Sequence, residues 1–201
     1  MKVMKKIFTA IIVMATAFVA IPANAGINFG VKGGYNVTNF SLSKDVVASD
    51  NQSGFFIGPT VKIGIPVLPI GFEVAALYDQ RDAKIEGEKI SQKSINIPVN
   101  IRYEFGLGDM AGIYLAAGPQ FGFNVGDKTF GLEHVADYKM KDSNLSLNLG
   151  AGVRLIKHLE IGFNYNLALG KTGEFEILDG ASKVLGSGKG NAWQISAAYY
   201  F

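Results

Sequence analysis

Eight stretches of this chain alternate in polarity with a period of two, and most of them are ten to twelve residues long. In the first, 27–37, Ile27, Phe29, Val31, Gly33, Tyr35 and Val37 fall on one face and Asn28, Gly30, Lys32, Gly34 and Asn36 on the other. The same rhythm runs through 54–65, 70–79, 94–105, 112–123, 144–155, 159–169 and 191–201. A period of two is the signature of a β-strand. Strands in water-soluble domains usually run about five or six residues, whereas a tilted strand needs about 9–11 to cross a bilayer.

Alternation alone does not say which face meets what, because a soluble barrel or sandwich alternates with its apolar side inward. The composition of the two faces decides. The apolar face carries no charge on any of the eight segments, as expected where a mid-membrane Lys or Arg costs about 2–4 kcal/mol. The opposite face is crowded with glycine (Gly30, Gly34, Gly58, Gly64, Gly71, Gly112, Gly118, Gly122, Gly150, Gly152, Gly162). Water does not select glycine on a strand, since it weakens the strand and offers nothing to solvate. A narrow eight-stranded lumen does, because its interior is just wide enough for side chains to fill. The expected fold is therefore all-β, an eight-stranded antiparallel up-and-down transmembrane barrel.

The connections support this. Segments 38–54, 80–93, 124–143 and 170–190 are long and polar, and between them lie short turns at Val67 and Leu68, at 106–111 and at 156–158. Long loops at one end and tight turns at the other are the layout of an outer-membrane barrel, with the turns in the periplasm. An even strand number closes the sheet and leaves no edge unpaired in hydrocarbon. Aromatic residues sort by height into two girdles. Tyr35, Phe55, Tyr78, Phe121, Phe123 and Trp193 are expected at the outer rim, and Phe29, Phe72, Tyr103, Phe105, Tyr199 and Phe201 at the inner rim.

Residues 1–25 read as a cleaved signal peptide, leaving 26–201 as the barrel domain. Lys2, Lys5 and Lys6 precede an uncharged apolar run, and Ala23, Asn24 and Ala25 form a small-x-small cleavage site. Without those three lysines, the 19 Lys+Arg and 17 Asp+Glu of the whole chain become sixteen against seventeen. No basic excess then points to nucleic acid. The absence of cysteine rules out disulfides, thiolate chemistry and cysteine-ligated metal.

The inward face is expected to carry Lys32, Lys62, Arg102 and Arg154 against Glu73, Asp79, Glu104 and Glu160. A two-residue turn at Val67 and Leu68 sets Lys62 opposite Glu73, and a three-residue turn at 156–158 sets Arg154 opposite Glu160, with matching face parity. Arg102 and Glu104 are next-but-one on one face. These charges read as lumen filler in which the pairs satisfy each other, or as a gate in which they exchange partners to pass ions. Enzymatic readings find little support. His134 and His158 fall in connections, the lipid face offers no polar triad, and no phosphate loop or metal-spaced pair appears. No catalytic residue, cofactor or metal is expected. Pro59, Pro98 and Pro119 sit inside strands, where each removes a ladder donor, and bulges or lumen-facing carbonyls are the expected remedies.

Several segments resemble one family. Ile97, Pro98, Val99, Asn100, Ile101, Arg102 and Tyr103 are similar to its Ile-Pro-x-x-x-x-Tyr strand, and Ala116 through Gly122 to its Ala-Gly-Pro strand. Segments 148–153 and 163–167 are similar to its sixth and seventh strands, and 30–36 to its opening. This is the "porin family" outer-membrane barrel domain common in Bacteroidetes, an OmpA/OmpX-like eight-stranded barrel, and the likeness covers residues 26–201. The resemblance implies an outer-membrane location, an eight-stranded fold and no catalytic residues; with the sequence ending at the barrel, no peptidoglycan-binding domain of the OmpA type is expected. Tyr199, Tyr200 and Phe201 resemble the C-terminal signal read by the barrel-assembly machinery. The expected partners are outer-membrane lipid, that machinery during insertion, and surface ligands at the loops. The expected role is structural or surface-interactive, through four long extracellular loops, with a narrow channel for ions or very small solutes as the alternative.

Overall fold

The computed structural model describes residues 26–42, 52–85, 88–106, 111–126, 129–132, 135–140, 143–169, 173–179 and 182–201. The expected signal peptide, the 107–110 turn, His134 and the loop charges Lys44, Asp45, Asp50, Glu86, Asp127, Lys128 and Glu133 lie outside the described residues.

Twelve strands are described, and eight staves made from them close on themselves. They are β1 (Gly26–Leu42), β2 (Gln52–Gly64), β3 (Ile70–Ala75) continued by β4 (Leu77–Ile85), β5 (Glu88–Gly106), β6 (Ala111–Asn124), β9 (Ser143–Leu155), β10 (Leu159–Ala168) and β12 (Ser182–Tyr200). Each stave pairs antiparallel with its neighbour in the chain, and β1 returns to β12 to complete the circle. No free edge crosses the wall, so each stave has a partner stave on both sides, as hydrocarbon requires.

The two faces sort as the period of two dictates, but inside out relative to a soluble barrel. Ile27, Phe29, Val31, Ile57, Ile101, Leu115, Ile161, Phe163, Ile195 and Tyr199 are exposed, while Lys32, Lys62, Glu73, Asp79, Arg102 and Glu160 are buried. A surface that is apolar over its whole circumference is stable only against lipid. On β1 that face spans ten residue steps, about 33 Å of strand or about 25 Å of height at a tilt near 40°. This matches the apolar band of a bacterial outer-membrane barrel.

Three residues expected to face lipid are buried: Ile63, Ile97 and Phe123. Ile63 lies opposite Phe72 and Ile97 opposite Phe121, two larger outward residues on neighbouring strands. Phe123 stands where β6 leaves the wall, and the amides of Val125 and Gly126 just beyond it donate to the carbonyl of Lys93 on β5. The other expected girdle residues are exposed or half-buried. Tyr103 and Phe105 touch at the inner rim with centroids 4.5 Å apart, as do Tyr199 and Phe201 at 5.9 Å.

The first turn is wider than expected. Ile65 and Ile70 close it, with the Ile65 amide donating to Ile70 O at 3.0 Å. Pro66 and Pro69 lack the N–H that would extend the ladder to Val67 and Leu68, and Val67 takes a left-handed φ of 69°. The turn's centre is unchanged, so the register is the expected one, with Lys62 opposite Glu73. The 156–158 turn has three residues, with Ile156 and Lys157 left-handed, and sets Arg154 opposite Glu160.

The strand prolines cause no bulge: Pro59 and Pro119 stay paired on one side, on the other the ladder skips them and resumes in the same register, and Pro98 stands opposite Gln120 at the edge of the second gap. Pro59 and Pro119 each follow a glycine. A Cβ on Gly58 would strike the carbonyl of Ala76, and one on Gly118 that of Val99. These are the carbonyls across from each proline, left without an N–H to hold them in the ladder. Both carbonyls lie against the neighbouring glycine, which must lack a side chain there; Gly54 admits the carbonyl of Gln80, opposite Phe55, in the same way, so the close approach does not depend on a proline.

The long connections are not simply loops. β4 and β5 continue as a paired hairpin to Ile85 and Glu88, and β1 stays paired with β12 out to Leu42 and Gly188. Two further strands, β7 (Thr129–Leu132) and β8 (Val135–Met140), join β11 (Gly173–Asp179) on the upper part of β12 in the order β12-β11-β8-β7. Sequence polarity does not mark these segments, because no lipid meets them and neither face need be apolar.

Candidate functional site

The inward residues of the eight staves converge on one axis, and the charged ones form a single connected network. Lys32 on β1 bonds Glu73 on β3 at 2.6 Å. Glu73 also pairs with Arg102 on β5, which reaches Glu160 on β10 at 2.8 Å. Glu160 is held in turn by Lys62 on β2 at 2.7 Å. Toward the turn end, Glu104 lies 3.3 Å from Arg102 and 3.9 Å from Lys62, and bonds Arg154 on β9 at 3.0 Å. Arg102 is fully buried, as are Glu73 and Glu160 to within 2%.

The register places Lys62 beside Glu73 and Arg154 beside Glu160, yet neither forms the expected ion pair; both cations bond a carboxylate elsewhere. Lys62 crosses the lumen to Glu160, and Arg154 goes to Glu104. In a closed, narrow barrel inward side chains all point at the axis, so a long side chain meets residues across the circle as readily as its ladder neighbour. Arg102 stands at the centre and takes a carboxylate from each side, because a buried guanidinium needs several acceptors to offset its desolvation. Its Nε still has no hydrogen-bond partner among the described residues.

Asp79 belongs to a separate group nearer the loop end. It bonds Arg81 at 2.9 Å, Asn36 at 3.1 Å and Asn96 at 2.9 Å. Around it lies a neutral layer of amides: Gln194 donates to Asn36, Asn148 to Gln120, and Asn166 to Asn148. Sequence reading left Arg81 among the solvated charges of the second long connection, although its spacing of two from Asp79 puts both on one face.

Sequence reading missed the aromatics inside the lumen. Tyr114 and Tyr200 are buried at the level of the network, and Phe56 is buried as well. The Arg102 guanidinium stacks on Tyr114 at 3.8 Å, and Lys62 Nζ sits 4.4 Å from the Tyr200 ring centre. Cation–π contacts of this kind add roughly 0.5–2 kcal/mol each. The inward glycines make the room: Cβ atoms on Gly152 and Gly162 would collide with Tyr114, on Gly34 with Phe56, and on Gly30 with Tyr200. The signal was present as even-numbered aromatics on a glycine-rich face.

At the C-terminus, Tyr199 and Phe201 are exposed on the outer surface while Tyr200 points inward. The amide of Tyr200 donates to His158 O and that of Phe201 to Phe29 O. His158, exposed in its turn as expected, also places Nδ1 2.7 Å from the Tyr200 carbonyl.

A closed eight-stranded antiparallel barrel with an apolar exterior and a charged, packed interior defines a transmembrane barrel of the bacterial outer-membrane class. The family model for the outer membrane protein beta-barrel domain matches residues 11–201, and the chain belongs to that family. Among solved structures it is similar to the outer membrane protein OprG of Pseudomonas aeruginosa, at 16% identity and TM-score 0.56, covering 90% of this chain and 99% of that one. Neisserial surface protein A matches at 16% identity and TM-score 0.48, over 88% of this chain and 99% of the other. The outer membrane enzyme PagL matches at 12% identity and TM-score 0.45, over 87% and 99%. No curated protein matches the chain by sequence. Likeness at these identities extends to the fold alone.

Proposed function

We propose that this chain is a structural or surface-interaction barrel whose lumen is a packed core and not a conduit. The observation that carries the reading is the centre of the lumen. Arg102, Glu73, Glu160, Tyr114 and Tyr200 are all buried there and bonded or stacked across the full width. A water-filled path would leave some of these groups solvated. The network acts as the core of the barrel, holding eight staves at fixed angles, while the parts that differ in shape from a minimal barrel stand at the loop end. Surface ligands would meet the paired extension of β7, β8, β11 and upper β12, so the interaction surface is a sheet and not a set of free loops.

In the same reading, residues 1–25 direct export and are removed, and Tyr199 and Phe201 present the outward rings that the barrel-assembly machinery takes up. The chain's finer place is within the Bacteroidetes porin family that its strands resemble. Conductance across planar bilayers tests the central statement. The purified barrel should give no stable single-channel steps, and steps abolished by Arg102→Ala would replace this reading with a narrow channel.

A further inference from the structure

At the turn end of the lumen an open recess of about 380 Å³ is lined by Lys62, Arg154 and Lys157, with Glu104 as the acidic residue among its lining side chains. Its walls include Gly64 and Gly71, and a Cβ on Gly64 would meet nothing closer than 3.9 Å. At Gly64 the space exists because a side chain is missing where one would fit, whereas a Cβ on Gly71 would strike the carbonyl of Ile63. Charge collects there for a reason set by the network above. Glu73 is used by Lys32 and Arg102, and Glu160 by Lys62 and Arg102. Glu104 alone is left for Arg154. Among the described residues, the four cations of the network face three carboxylates, a surplus of one positive charge. Arg154 Nε is buried with no hydrogen-bond partner among the described residues. A surplus positive charge beside low-dielectric walls attracts a counter-charge, and its field is focused into the recess.

We infer that the recess is a blind binding site for a small soluble oxyanion of the phosphate or carboxylate class, held by Arg154, Lys62 and the Asn28 amide. It is blind because Arg102, Tyr114 and Tyr200 fill the lumen above it. It takes a soluble anion and not a lipid headgroup because it opens inside the wall, whereas headgroups surround the outside. Glu104 competes with the anion for Arg154 and so tunes its affinity.

Amide NMR of the barrel purified in uncharged detergent tests this, with inorganic phosphate titrated at constant ionic strength. The resonances of Gly64 and Gly71 should shift and saturate. Arg154→Gln should weaken binding about tenfold, the usual worth of one charge-assisted hydrogen bond. Glu104→Gln should tighten it, and Gly64→Phe, which fills open space, should abolish it. In nanodiscs containing phosphatidylglycerol and no phosphate, the same shifts should be absent. Shifts that grow without saturating, that survive Gly64→Phe, or that appear with the anionic lipid alone would overturn the inference.

Discussion

Replacing Glu73 with glutamine should be among the most destabilising single-atom changes available in this barrel. Glu73 is the carboxylate that Lys32 bonds, at 2.6 Å, and it is one of two that bracket Arg102. The variant leaves Lys32 buried with no carboxylate partner among the described residues, and the lower network goes from four cations and three carboxylates to four and two. Removing one partner of a buried pair typically costs about 3–5 kcal/mol, because the other charge stays desolvated. Adding Lys32→Met to Glu73→Gln returns the surplus to one positive charge, and should recover about half of the loss. Lys62→Met gives the contrasting cycle. Lys62 is beside Glu73 in the ladder but bonds Glu160, so its coupling to Glu73 should be smaller than that of Lys32 by at least about 1 kcal/mol. Urea unfolding in lipid vesicles reads all of these, using fluorescence of the chain's one tryptophan, Trp193, which lies on the lipid face. Equal midpoints for Glu73→Gln and its Lys32→Met double would refute the across-lumen pairing, as would stronger coupling to Lys62 than to Lys32.

Two further outcomes follow from the packing. Gly162→Ala should destabilise by about 1–3 kcal/mol because its Cβ meets the Tyr114 hydroxyl, and adding Tyr114→Phe should recover part of that in the same unfolding assay. The chain has no cysteine, so single cysteines can be spin-labelled. Labels at Ile161 and Ile195 should be reached by oxygen and not by a water-soluble nickel chelate, and water-accessible labels at both sites would invert the assignment of faces.

Much of the architecture was legible because lipid imposes a simple rule. A strand that must be uncharged on one face for its whole length advertises both its span and its direction, and the eight staves followed. Register at two hairpins was legible too, since a turn's centre sets which residues face each other even when its width is misjudged, as at Pro66 and Pro69. The upper strands β7, β8 and β11 were not, because in water either face of a strand can be polar and the alternation loses its meaning. Phe56, Tyr114 and Tyr200 were overlooked for a related reason: an aromatic on an otherwise polar and glycine-rich face looks like an exception until the cavity it fills is seen.

What the amino-acid order determined by itself was which side chains enter the lumen, through the period of two and the ban on charge against acyl tails. What only the closed structure decided was who meets whom inside. Once eight strands wrap to a radius that a single side chain can span, distance along the ladder ceases to govern contact. Arg102 at the centre, and not the nearest neighbour in sequence or in register, then determines how the charges of its network are shared.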